Sequence, residues 1–144
     1  GYNVIQATIA VGSGKVFGKG VKLGTQSHLN FLPERHTDFI FASFVEEFGL
    51  VGATVLFFSY SIFFVYCLKA LRRLHEQGQN LVSISIFFLF LFQFVVNVGM
   101  NLGIMPVTGI TLPLFSYGGS SLLSFSILIG LLLRQLDVIT PFEI

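Results

Sequence analysis

From Gln77 to Leu133 the chain carries no charged side chain over 57 residues. Soluble domains average about 25% charged residues, whereas this 144-residue chain has 10%, grouped at a few places. Eight of the fifteen charges lie in residues 1–47. Four more are Lys69, Arg72, Arg73 and Glu76, and the last are Arg134, Asp137 and Glu143. A bilayer core takes about 20 apolar residues per helix, so the uncharged run is too long for one crossing. Pro106, Gly109, Pro113, Gly118 and Gly119 interrupt it in the middle. The pattern predicts an all-α integral membrane protein with three transmembrane helices, at 48–68, 81–105 and 115–133.

Lys and Arg near span ends set orientation. Lys69, Arg72, Arg73 and Arg134 fall on one side of this arrangement, which is then cytoplasmic. Residues 1–47 form a large extracytoplasmic loop, 69–80 a cytoplasmic loop, 106–114 an extracytoplasmic loop and 134–144 a cytoplasmic tail. Tyr2–Val11 reads as a short interfacial helix. Thr37 reads as the N-cap of a helix that continues into the first span, with Asp38 in its first turn. There is no basic stripe for nucleic acid, and Cys67 reads as a small hydrophobe. The polar start at Gly1 reads as the continuation of a longer polypeptide.

Several features can carry chemistry. Gly12-Ser13-Gly14-Lys15-Val16-Phe17-Gly18-Lys19-Gly20 lacks the spacing of a nucleotide-binding P-loop. It reads as a bendable loop whose lysines, with Lys22, can meet anionic lipid or a phosphorylated substrate. Glu34, Arg35, His36 and Asp38 sit within five positions beside Phe39, Ile40 and Phe41. Asp38 is a candidate general base, or simply an acid at a helix start. Glu46 and Glu47 mark the start of a span or a functional site. Gln93, Asn97 and Asn101 recur every four residues and share a helix face, read as polar packing against other helices. Gly99 and Gly103 show small-xxx-small spacing on the same helix. Ser116, Tyr117, Gly118, Gly119, Ser120 and Ser121 offer hydroxyls and N–H groups at a helix start, suited to a diphosphate or to a packed turn.

Two long segments bear a family resemblance. Asn101 through Ser121, with Pro106, Gly109 and Ser116-Tyr117-Gly118-Gly119-Ser120-Ser121, resembles the signature of the SEDS proteins (shape, elongation, division and sporulation). Phe31-Leu32-Pro33-Glu34-Arg35-His36-Thr37-Asp38-Phe39-Ile40-Phe41, followed by Glu46-Glu47-Phe48-Gly49, resembles their large outer loop. Gly24-Thr25-Gln26-Ser27-His28-Leu29 is more similar to the rod-elongation branch than to the division branch. The resemblance covers essentially the whole chain, as the C-terminal part of a polytopic bundle of about ten spans.

The resemblance implies a peptidoglycan glycosyltransferase of the bacterial cytoplasmic membrane that polymerises lipid II at its outer face during cell elongation. Asp38 takes the place of the family's loop aspartate, the implied general base for the acceptor hydroxyl. Charge on the leaving diphosphate makes Arg35, Lys15, Lys19 and Lys22 candidate cations, with a divalent cation (Mg or Mn) as another source of positive charge. Glu34, Thr108, Ser116, Gly118 and Gly119 complete the candidate substrate-binding residues. No metal-ligand set is assigned. Division-type members often have Lys where Thr108 stands, and some members have an acid where Asn30 stands, so Asn30 receives no role. The implied partners are a class B penicillin-binding protein and other membrane proteins of the elongation machinery, with no nucleic acid. Two other functions stay open: translocation of lipid II without bond formation, using the Gln93, Asn97 and Asn101 stripe, and a non-catalytic scaffold packing through Gly99 and Gly103.

Overall fold

The computed structural model describes residues 2–20, 38–75, 81–116 and 118–137, with the side chains at 2–3, 70, 73–75 and 135–137 outside the description. Four helices follow in order: α1 (Tyr2–Ser13), α2 (Ile40–His75), α3 (Leu81–Asn101) and α4 (Gly119–Asp137). Among the described residues there is no strand. Ile40–Lys69 within α2 and Leu81–Asn101 are long and apolar enough to cross a membrane. In α4 the apolar stretch Gly119–Arg134 is shorter.

The interface of α2 and α3 is a stack of rings. Tyr60 and Phe94 lie 4.5 Å apart, Phe63 and Phe90 5.7 Å, and Phe64 and Phe87 5.8 Å. Phe90 meets Phe125 of α4 at 5.3 Å. Most pairs are edge-on or tilted, as the ring quadrupole favours. Cys67, Phe87 and Leu132 form one buried cluster, so the ends of α2 and α4 that carry Lys69, Arg72 and Arg134 lie at the same level. Serines on exposed helix faces are internally satisfied. Ser59, Ser61, Ser85, Ser124 and Ser126 each donate to the carbonyl four residues back, which removes a polar cost in an apolar surround.

α4 runs Gly119–Asp137 where the sequence reading has a span over 115–133, and two further differences have local reasons. The sequence predicts a second span running to Met105, but α3 ends at Asn101. Gly103, at φ 75°, is the left-handed residue of a C-cap. The Ile104 N–H donates to the Gly99 carbonyl (2.9 Å) and the Gly103 N–H to the Met100 carbonyl (3.1 Å), a Schellman pattern. Gly103 is therefore outside the helix, facing Val4 and Thr8 of α1, while Gly99 faces Met105. The two glycines do not make one helix-packing stripe.

The second difference is inside α2. Its first part ends at Gly49, which has φ 67° and ψ −158°. An unbroken helix would join the Leu50 N–H to the Glu46 carbonyl and the Val51 N–H to the Glu47 carbonyl. Residues 15–20 intercept all four groups. The N–H groups of Lys19 and Gly20 donate to Glu46 and Glu47 (3.0 and 3.1 Å). Leu50 and Val51 donate to the carbonyls of Lys15 and Val16 (2.9 and 3.1 Å). The approach is so close that a Cβ at Gly18 would lie 2.1 Å from the Glu47 oxygen, and one at Gly49 2.2 Å from the Gly18 nitrogen. The glycine-rich segment is a backbone strap across a helix break.

Candidate active site

Asp38 occupies the turn just before α2. The neighbouring Phe39 and Phe41 are buried, and Phe39 packs with Ala42 against Ala7 and Ala10 of α1. Small residues three apart on α1 give that ring its seat. Burying Phe39 and Phe41 pins the start of α2 just after Asp38, which is itself only 8% exposed.

The backbone carbonyl of Asp38 accepts two side-chain bonds from α3. Asn97 Nδ2 donates at 3.0 Å and Asn101 Nδ2 at 3.1 Å. Asn97 Nδ2 also donates to the Ile110 carbonyl at 2.7 Å, so one amide ties the Asp38 turn to the loop after α3. Asn101 Oδ1 accepts from the Ala42 N–H at 3.2 Å. Both asparagines are fully buried. Of the α3 face expected to pack against other helices, Asn101 reaches α2 at Ala42, while Asn97 bonds to the Asp38 turn and the loop at Ile110. Gln93, a turn lower, leaves its buried Oε1 without a partner among the described residues.

The carboxylate of Asp38 lies against Gly109. A Cβ added at Gly109, which has φ 69°, would stand 3.6 Å from Asp38 Oδ2. Thr108 is the exposed residue before it. Farther along, the Ser116 hydroxyl accepts from the Leu112 N–H at 2.8 Å, and Tyr60 donates its hydroxyl proton to the Pro113 carbonyl. This loop is thus built from internal bonds. Ser116 is buried and serves it structurally. Gly118 supplies the carbonyl that accepts from Leu122 (2.9 Å), and Gly119 opens α4 as an exposed residue.

The basic candidates separate. Lys19 Nζ lies 3.2 Å from Oε1 of the fully buried Glu46, with Lys19 31% exposed. Its charge is committed to that carboxylate, about 12 Å along the helix from Asp38 at 1.5 Å per residue. Lys15 is exposed on the strap. Glu34, Arg35 and Lys22 lie outside the described residues. Among the described residues no three His, Cys, Asp or Glu side chains gather as a metal site.

Residues 1–138 match the family model of the cell cycle proteins FtsW, RodA and SpoVE. This chain belongs to that family. The family member is 48% identical over 133 residues to the peptidoglycan glycosyltransferase RodA of Treponema pallidum, covering 92% of this chain and 31% of that protein. It is 49% identical over 124 residues to the peptidoglycan glycosyltransferase MrdB of Escherichia coli K12, covering 85% of this chain and 33% of that one. A probable peptidoglycan glycosyltransferase FtsW of Synechocystis is 40% identical over 134 residues, with 93% and 34% covered. Among solved structures, a chain from a peptidoglycan synthase complex that coordinates polymerization and crosslinking superposes with TM-score 0.71 at 32% identity. That match covers 97% of this chain and 38% of the other. The FtsW/RodA/SpoVE member described here spans about a third of the length of the curated relatives it matches.

The sequence did not mark three parts of this site. Asn97 and Asn101 were visible as a polar face, but not as supports of Asp38. Gly109 was visible as a break, but not as the residue beside the carboxylate. The i, i+4 amides at the end of α3 that faces the Pro/Gly loop were the available signal.

Proposed function

We propose that this chain contributes the catalytic end of a membrane peptidoglycan glycosyltransferase that polymerises lipid II during cell elongation. The observation that carries the reading is Asp38, its backbone clamped by Asn97 and Asn101 and its carboxylate set beside Gly109. A general base needs fixed geometry more than it needs mobility.

In this reading the ionised Asp38 carboxylate accepts the proton of an acceptor sugar hydroxyl. The hydroxyl oxygen attacks the anomeric carbon of the growing chain, and the bond to undecaprenyl diphosphate breaks. Gly109 leaves a face of the carboxylate without a side chain over it. Arg35, Lys22 and the exposed Lys15 are the cations proposed to meet the diphosphate, and Lys19 acts through Glu46 on the strap. A Mg or Mn ion would add positive charge if bound. Among the described residues no three His, Cys, Asp or Glu side chains gather to hold it.

The basic residues Lys69, Arg72 and Arg134 at one level support a cytoplasmic location for that end, and with it an extracytoplasmic one for Asp38 and the loop after α3. The shorter α4 is the proposed third span, with further spans completing a bundle of about ten. The solved relative belongs to a synthase complex in which polymerization is coordinated with crosslinking, which supports a class B penicillin-binding protein as partner. Asn97 and Asn101 spend their amides on protein carbonyls, so the polar stripe is poorly suited to a translocation path.

The test is Asp38→Asn in the full-length protein with its transpeptidase partner. Loss of a general base lowers turnover by about 100-fold or more, read as glycan strand formed from lipid II. Polymerisation near the parent rate in a folded variant would sink the assignment.

A further inference from the structure

The first turn of α2 is missing one ladder bond, and a side chain stands in its place. In a regular helix the Ala42 N–H would donate to the Asp38 carbonyl, four residues back. Here each group turns instead to Asn101. Its Nδ2 donates to the Asp38 carbonyl at 3.1 Å, and its Oδ1 accepts from the Ala42 N–H at 3.2 Å. The amide is inserted between the two ends of the bond. The next ladder bond, from the Ser43 N–H to the Phe39 carbonyl, is formed at 3.2 Å. The helix therefore starts one residue late, and Asp38 is held off it as a turn.

Asn97 completes the arrangement. A carbonyl oxygen has two acceptor positions, and the second at Asp38 is taken by Asn97 Nδ2 at 3.0 Å. The same nitrogen reaches the Ile110 carbonyl at 2.7 Å, next to Gly109, which lies against Asp38 Oδ2. Asn101 Nδ2 also donates to the backbone carbonyl of Asn97 at 2.8 Å, which fixes the Asn101 amide against its own helix one turn back. One pair of side chains thus sets both the direction of the Asp38 carboxylate and the surface it faces.

We infer that Asn97 and Asn101 are positioning residues for Asp38, acting by splicing an amide into the first turn of α2 so that the carboxylate stays off the helix and beside Gly109. The inference rests on the reading of Asp38 as the base. It has a consequence that a role in stability alone lacks. Replacing Asn101 with Leu, which keeps the branched heavy-atom shape but has no donor or acceptor, frees the Ala42 N–H and the Asp38 carbonyl to bond to each other. The helix then extends by one residue and recovers a hydrogen bond, while successive side chains on a helix point about 100° apart. Fold survives and aim is lost.

The experiment uses the full-length protein with its transpeptidase partner, purified and supplied with lipid II. Steady-state polymerisation and thermal melting are measured for the parent, Asp38→Asn, Asn101→Leu and Asn97→Leu. The expected result is a folded Asn101→Leu protein with a melting midpoint close to the parent. Its kcat falls by about 10–100-fold, the scale of an approximately 1 Å misplacement of a reacting group, and its KM for lipid II is little changed. Asn97→Leu loses the Ile110 tie as well and falls at least as far in kcat. Parent-like kcat in the folded variants overturns the inference, as does a loss carried by KM. If both variants fail to fold, the pair is a stability element and the inference falls too. Asp38→Asn separates the two claims. If it polymerises at the parent rate, the base reading itself fails; if it is inactive while the Asn variants are parent-like, only the positioning role fails.

Discussion

At Ala42 the ladder of α2 is interrupted by a side chain, and at Leu50 and Val51 it is interrupted by backbone. In the first case Asn101 reaches in with a donor and an acceptor on one planar group. In the second, residues 15–20 supply two donors and two acceptors from their own main chain. The first needs an amide at one position of α3. The second needs the absence of side chains, at Gly18 and Gly49, because the backbones nearly touch. An interruption made by a side chain can be undone with little cost to the helix, since the ladder bond re-forms. One made by backbone is undone only by expelling a segment. The first is suited to aiming a carboxylate, the second to holding an architecture.

Substitutions can break this contrast. The largest effect on stability is expected at Gly49→Ala. The new Cβ would meet the Gly18 nitrogen at 2.2 Å on a backbone with φ 67°. The result is expulsion of the strap and a loss of about 3 kcal/mol, the range of a strained residue plus a steric clash, read by melting and by new protease cleavage within 14–20. Lys19→Met comes next. It leaves the fully buried Glu46 without its lysine. A loss of about 1–3 kcal/mol is expected, less than for a fully enclosed pair because Lys19 is part-exposed, and Glu46→Gln in the same chain should restore part of it. Gly109→Ala is expected to cost about 1 kcal/mol for its left-handed backbone, with a fall in polymerisation larger than that stability change, because the new methyl stands 3.6 Å from Asp38 Oδ2. Lys15→Ala should be the mildest, within about 0.5 kcal/mol in melting for an exposed side chain. A large effect there on polymerisation alone would assign Lys15 to substrate.

The membrane character of the chain was legible in the sequence because it depends on composition over long windows, which no tertiary contact can override. The face of Asn97 and Asn101 was legible for the same reason, from period alone. Their targets were not. Asp38 is 63 positions from Asn101, and nothing local says that an amide will enter a helix turn that far away. The glycine-rich segment could be excluded as a phosphate loop by spacing, yet its partner at Gly49 is likewise remote. The end of α3 differs for another reason. Sequence alone points to Pro106 as the break, whereas Gly103, with the left-handed backbone of a C-cap, stops the helix earlier. The candidates Glu34, Arg35 and Lys22, of which the two cations were chosen for the charge of a leaving diphosphate, fall outside the described residues.

The strap bonds twice above Gly49 and twice below it, as a splint is fixed to both sides of a joint. The bend of α2 is therefore set from outside the helix. The part above the joint carries the Asp38 turn, and the part below runs through the apolar span. Lengthening or shortening residues 14–20 would re-aim one against the other while leaving both sequences untouched.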